Sequence, residues 1–253
     1  ISLEIRTPNI LKNNIEEEQY LNKLGPDLIL VVSYGQIIPK NLLKIPKYGF
    51  LNIHASLLPK WRGAAPIQRS IMNLDKETGI SIIKINEKLD SGPVCFSTKL
   101  KIKEDDNTST LSDKLSVLAS DNISEIVDNI IADEVIFHQQ DHNKATYAKK
   151  IYKTEGKINW NNSAKKLIGL INGLSPSPGA WFNYSGERYK ILRAKISEKV
   201  GDIGKVLSER MEIGCKEKAI EILEIQREGK QVQKIGEFML GSKIKKGSNL
   251  QNE

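Results

Sequence analysis

The run Leu28-Ile29-Leu30-Val31-Val32 constrains this chain more than any other stretch. It is continuously apolar, three of its five residues are β-branched, and it is bounded by Gly25-Pro26 before and Ser33-Tyr34-Gly35 after. Such a run reads as a strand covered on both faces, as in a parallel sheet with helices on either side. The neighbouring segments agree. A strand is expected over Ile1–Pro8, a helix over Glu16–Leu24 ended by Gly25-Pro26, and a short helix over Pro39–Leu43. Strands follow at Phe50–His54, Gly79–Ile85 and Val94–Ile102, a helix start at Pro66–Met72, and an amphipathic helix over Leu111–Ile131. Strand and helix alternate throughout, which argues for a mostly parallel α/β sheet.

Beyond residue 138 the texture changes. His138–Ala145 is polar and aperiodic, and reads as the heart of a linker. A helix over Ser163–Leu174 precedes short β-like segments at Ala180–Tyr184, Tyr189–Lys195, Gly204–Ser208, Met211–Cys215 and Ala219–Gln226. That spacing suggests a small β-barrel, closed by a brief helix at Gly236–Gly241. The polar tail from Lys243 is expected to fray. The expected boundaries are 1–135 for a catalytic domain, 136–152 for the linker, 153–247 for the barrel and 248–253 for the tail.

Charge divides along the same line. Residues 1–150 hold 19 Lys+Arg and 19 Asp+Glu, whereas 151–253 hold 19 and 12, the whole net charge of +7. A neutral half joined to a basic one suits chemistry in the first and a polyanion on the second. A general habit of surface lysine would give the same count. No apolar run approaches the roughly 20 residues of a membrane span. No signal peptide is visible, although residue 1 is Ile. Cys95 and Cys215 lie far apart without a Cys-x-x-Cys context and read as separate reduced thiols. His138 and His142 are four residues apart but have no further obvious ligands, so no metal site is expected.

The strand at Phe50–His54 runs into a loop carrying Pro59, Gly63 and Pro66. Side chains alternate along a strand, so Asn52 and His54 share a face at its carboxyl end, where open α/β sheets bind ligands. An Asn-x-His pair is common, and by itself it fits two polar residues that cap a loop.

The length of the surrounding match decides between these readings. Asn52-Ile53-His54-Ala55-Ser56-Leu57-Leu58-Pro59-Lys60-Trp61-Arg62-Gly63-Ala64-Ala65-Pro66-Ile67-Gln68 closely resembles the signature of the methionyl-tRNA formyltransferase family. Leu89-Asp90-Ser91-Gly92 is similar to that family's Leu-Asp-Thr-Gly, with Ser for Thr. The resemblance implies a Rossmann-like formyltransferase sheet, its first strands missing from this chain, and an OB-like C-terminal barrel. It implies formyl transfer from 10-formyltetrahydrofolate to the amino group of methionyl-initiator tRNA, without a metal.

The catalytic residues it implies are Asn52, His54 and Asp90. An amide N–H can stabilise an oxyanion, an imidazole can carry protons near neutrality, and a carboxylate can orient and charge that imidazole. The donor is expected along Tyr34, Gly35, Gln36, Ile37 and Ile38, along Ser56, Leu57, Leu58 and Pro59, and at Leu89. Leu57 and Leu58 equally fit a loop anchored to a core. Lys60, Trp61 and Arg62 suit an RNA 3′ end, with a solvated charged loop as the other reading. Lys149, Lys150, Lys153 and Lys157 are expected to meet tRNA phosphates.

Two departures stand out. The family has a further N-terminal portion, so the chain reads as a fragment expected to expose strand edge and to be poorly soluble. Asn172 stands where the family commonly has Arg, which puts one tRNA contact in doubt. The rival readings are another folate-dependent formyltransferase or hydrolase, acting on a small amine or amino sugar, and a non-catalytic RNA-binding protein. The Arg62–Gln68 run and the basic second half favour tRNA over the first rival; the intact trio counts against the second. A monomer in the cytoplasm, most simply a bacterial one with an organelle left open, completes the expectation.

Overall fold

The computed structural model describes residues 4–251. Two compact units are present. One takes in the chain up to Pro66, Thr78–Leu100 and Leu115–Lys149; the other takes in Ile67–Glu77, Lys101–Lys114 and the chain from Lys150.

The first unit is built on a four-stranded sheet in the order β1-β2-β3-β4, with β1 at Leu28–Val31, β2 at Gly49–His54, β3 at Glu77–Lys84 and β4 at Val94–Lys101. β1 and β2 run parallel with Val31 beside Asn52, whereas β2 and β3 run antiparallel with His54 beside Ser81. The sheet is therefore α/β and Rossmann-like but mixed, not mostly parallel. Apolar periodicity reports which residues are strand and is blind to strand direction.

Both faces of β2 are covered. Leu51 packs with Ile82, Ile126 and Ile130, the last two from the long helix Thr108–Ile131. Phe50 packs on the other face with Ile38 and Leu42, alongside Leu21, Ile29 and Val31. Full burial of each such side chain contributes about 1.5–3 kcal/mol. β1 departs from expectation: Leu30 is 43% exposed and Val32 61%. It lies at the edge of the sheet: Ile29 and Val31 pack on the Phe50 side, and on the other face Leu28 reaches the Leu51 cluster.

Helix α1 (Ile15–Leu24) follows its local chemistry. The Asn14 side chain accepts from the Glu17 N–H, Glu16, Glu17 and Glu18 fill the first turn, and Gly25 at φ 58° closes the end on the Leu21 carbonyl. Residues 4–8 form no strand, and the first three residues of the expected one lie outside the described residues. Helix α2 (Lys40–Leu43) follows Pro39, and α3 (Pro66–Met72) starts on a proline. The long helix is α4.

The second unit pairs helix α5 (Ala164–Leu174) with five antiparallel strands: β5 (Ala180–Tyr184), β6 (Glu187–Ser197), β7 (Glu212–Gly214), β8 (Ala219–Arg227) and β9 (Val232–Lys234). Their order is β5-β6-β8-β7, with β9 also on β8. The expected barrel is thus an open, curled antiparallel sheet among the described residues. Register slips at Ile191–Ala194 bend β6, yet no pairing closes a ring. Leu167 and Ile171 of α5 join Phe182, Ile191, Ile220, Ile222 and Ile225 in one core, where Trp160, Phe182, Tyr189 and Phe238 form a chain of rings 5.5–5.9 Å apart. Helix α6 spans Ile235–Gly241.

Two further expectations are corrected here. Gly204–Ser208 is a loop with two isolated bridges, Lys205 to Asn249 and Val206 to Ile213. The tail through Gln251 is not frayed, because Ile244 and Leu250 are buried and the Val206 N–H donates to the Ser248 carbonyl; its last two residues lie outside the described residues. Asn172, where the family's Arg is absent, is buried and donates from Nδ2 to the Glu104 carbonyl. Both cysteines are free, and burial pushes each thiol up to about 11.

Candidate active site

Parallel pairing brings the exit of β1 level with Asn52, so the loop 33–38 leaves the sheet beside it. Asn52 and His54 point the same way, as alternation requires, and meet one carboxylate. Asn52 Nδ2 donates to Asp90 Oδ1 at 3.2 Å, and His54 Nδ1 lies 3.7 Å from Asp90 Oδ2. Asp90 Oδ2 also accepts the Gly63 N–H at 2.8 Å. His54 is buried and Asp90 nearly so, with 6% and 14% of their side chains exposed.

The imidazole is oriented by a group the sequence did not reveal. His54 Nε2 lies 2.9 Å from the Trp61 carbonyl, which can only accept, so Nε2 carries a proton. Nδ1 is then the atom free to gain or lose one, and it faces Asp90. Asp90 therefore sits opposite Nδ1, while the ring's other nitrogen is held by the Trp61 carbonyl.

Backbone geometry explains the residue choices. Asp90 sits at φ 45°, a conformation Asp tolerates better than most residues. At Gly92 a Cβ would fall 1.8 Å from the Lys84 carbonyl oxygen, so only glycine lets the turn close. Gly63 lies at φ 119°, with the Ala148 carbonyl 2.7 Å from where a Cβ would be. The Ser91 hydroxyl donates towards Asn86 Oδ1 and the Lys88 carbonyl, roles that the family's Thr could also fill.

Several residues expected to touch ligand have structural jobs. Gln36 accepts the Leu11 N–H and donates to the Pro8 carbonyl, and Ile38 is core. Ser56 is fully buried, its hydroxyl on the Lys60 carbonyl and its own carbonyl on Ser81. Leu57, Leu58 and Pro59 are half-buried, with the Leu58 N–H held by Ser81 Oγ. The exposed members of the donor set are Tyr34 (44%), Gly35, Ile37 (82%) and Leu89 (62%).

Arg62 is the clearest correction. It is 4% exposed, and its Nε and Nη2 donate to Gln140 Oε1 at 3.0 and 2.7 Å, with Nη2 also on His142 Nδ1 at 3.1 Å. Lys60 remains exposed, Trp61 is half-buried, and Lys149, Lys150, Lys153 and Lys157 are exposed. Lys157 and Arg188 stand over the Trp181 ring at 5.9 and 4.2 Å.

Gln140 is the residue that sequence reading missed. It comes from the segment taken as linker, which instead packs onto this unit: the Arg62 N–H donates to Thr146, the Ala65 N–H to Ala148, and the Trp61 N–H to Thr146 Oγ1. Among the described residues no group of His, Cys, Asp and Glu could hold a metal ion, and no helix is long and apolar enough to cross a membrane. Two cavities of about 450 and 470 Å³ lie in the second unit and are lined by none of the expected site residues.

The chain matches the formyl transferase family profile over residues 6–127 and the formyl transferase C-terminal domain profile over 150–243. Methionyl-tRNA formyltransferase of Pelagibacter ubique is 59% identical over 252 residues, which is 99% of this chain and 81% of that protein. The enzyme of the same name from Caldanaerobacter subterraneus is 40% identical over 98% of this chain and 82% of its own length. Among solved structures, HypX from Aquifex aeolicus in complex with tetrahydrofolic acid shares the fold at a TM-score of 0.71 and 18% identity, over 94% of this chain and 43% of that one. Methionyl-tRNA formyltransferase from Clostridium thermocellum does so at 0.58 and 23%, over 73% and 79%. With two profiles in tandem and relatives of one name along nearly its whole length, this chain belongs to the methionyl-tRNA formyltransferase family.

Proposed function

We propose that this chain transfers a formyl group from 10-formyltetrahydrofolate to the amino group of methionyl-initiator tRNA, with Asn52, His54 and Asp90 as its catalytic residues. The observation that carries the roles is the single Asp90 carboxylate that holds the Asn52 amide and faces His54 Nδ1. The bound folate supplies the formyl group. Exposed Tyr34, Ile37 and Leu89 beside a polar centre fit a molecule with flat rings and a polar edge.

The chain's own groups account for the rest. Asn52 spends one Nδ2 hydrogen on Asp90 and keeps the other for negative charge developing on the formyl oxygen, a contribution of about 3 kcal/mol. With Nε2 already protonated, His54 takes the proton of the attacking amine at Nδ1 and returns it to the departing nitrogen. Asp90 stabilises the imidazolium between those events. No covalent bond to the protein is required.

The exposed Lys149, Lys150, Lys153 and Lys157, with Lys60 by the site, are the cations we assign to tRNA phosphates. A small amine or amino-sugar acceptor would leave the basic second half without use. Bacterial relatives support a cytoplasmic location.

The test is formyl transfer from 10-formyltetrahydrofolate to methionyl-initiator tRNA, run with wild type and His54→Ala. We expect transfer by the wild type and a fall of about 10²–10⁴-fold in the variant. Equal rates in the two would remove His54 from the mechanism, and transfer only to water or a small amine would move the chain to another formyl acceptor.

A further inference from the structure

We propose that Arg62 and Gln140 are positioning residues, a clamp that fixes the Asp90 carboxylate through the backbone of its own turn. The proposal rests on the catalytic reading of Asn52, His54 and Asp90 given above. Gln140 Nε2 donates to the Asp90 carbonyl at 2.9 Å and to the Gly92 carbonyl at 2.7 Å, which uses both of its hydrogens. Its Oε1 accepts twice from Arg62. The amide is saturated and cannot flip, because two carbonyls face its nitrogen and a guanidinium faces its oxygen.

Both ends of the clamp come back to Asp90. Arg62 is itself held by backbone bonds, its N–H on the Thr146 carbonyl and its carbonyl under the Ala148 N–H. The next residue, Gly63, then presents its N–H to Asp90 Oδ2. The side chain of Asp90 is thus fixed from Gly63 and Asn52 while its main chain is fixed from Gln140.

Asp90 needs such a hold, since its positive φ is a sparsely populated conformation that persists only when the surroundings over-determine it. Burying a guanidinium is also a costly way to gain stability, and here it is offset only by the amide and imidazole that accept from it. What the polar pair adds is direction. It polarises the amide, strengthens its grip on the two carbonyls and sets where the carboxylate stands relative to His54 Nδ1.

The test compares Gln140→Glu and Gln140→Met with wild type in formyl transfer, reading kcat and KM separately alongside the thermal midpoint. The carboxylate introduced by Gln140→Glu keeps the bond to Arg62 and the shape of the side chain, but it sets acceptor against acceptor at Asp90 and Gly92. We expect kcat to fall by about 10- to 100-fold with KM within about threefold, as for a misplaced catalytic group. Gln140→Met, which loses both faces of the clamp, should fall similarly, and it serves alone if Gln140→Glu does not fold. In an Asp90→Asn background either change should cost less than about threefold, since the carboxylate it positions is gone.

Wild-type kcat in a folded variant, or losses that multiply fully in the double variant, would overturn the clamp. A wild type inactive on methionyl-tRNA would overturn the underlying reading instead, and the clamp's catalytic role with it.

Discussion

Replacing Asp90 by Asn removes one charge and one of the two hydrogen-bond acceptors, and keeps the shape of the side chain. The carboxylate lies 3.7 Å from His54 Nδ1, and both side chains are largely withdrawn from water. When Nδ1 takes a proton the two become unit charges at that separation, an attraction of about 4 kcal/mol at an effective dielectric of about 20. At about 1.4 kcal/mol per decade that is on the order of a thousandfold in rate. The attraction exists only once the imidazolium forms, so the loss belongs to kcat and leaves KM nearly unchanged. The fold should survive. An amide oxygen at position 90 can still accept the Gly63 N–H, but its NH2 then meets the Asn52 amide donor to donor, and loss of that one hydrogen bond costs about 1–3 kcal/mol. The assay is single-turnover formyl transfer at saturating donor and tRNA, with circular dichroism to confirm folding. A folded Asp90→Asn enzyme within tenfold of the wild-type kcat would refute the electrostatic role assigned to Asp90.

Two other outcomes are expected. Glu212 is buried, and although burial would raise its pKa, hydrogen bonds from Lys199, Ser197 and Ser208 outweigh it and bring the carboxyl down to about 2 from 4.5. A depressed folded-state pKa gives stability that is present above about pH 4.5 and is lost as pH falls towards 2, up to about 3 kcal/mol; urea titrations of wild type and Glu212→Gln should converge between pH 7 and pH 3, and a constant gap would contradict this. For tRNA binding, Lys150→Gln and Lys153→Gln should each reduce the slope of log affinity against log salt by about 0.7–0.9, whereas Arg62→Gln should leave the slope unchanged because its guanidinium is buried.

The residues that sequence reading located well are those whose chemistry is local. Asn52 and His54 share a face because strands alternate, and α1 begins and ends where Asn14 and Gly25 cap it. Glycines in tight turns are legible for the same reason, since the Asp90-Ser91-Gly92 turn closes against Lys84 only a few residues away. Direction and closure were not legible. The antiparallel β2–β3 pair and the open sheet of the second unit depend on pairings between distant segments, to which apolar periodicity is indifferent.

Arg62 shows the same limit at a single side chain. Between an aromatic and a glycine in a basic run, its sequence surroundings say surface and phosphate. What buries it is an amide 78 residues away, in a stretch whose lack of periodicity reads as linker. Aperiodic polar sequence has two physical origins: backbone that is solvated, and backbone whose polar groups are each satisfied by a specific partner. Only the second can hold a carboxylate such as that of Asp90 in an unfavourable conformation, and it is in that case that the proposed clamp predicts a loss of rate ahead of a loss of stability when one remote amide is removed.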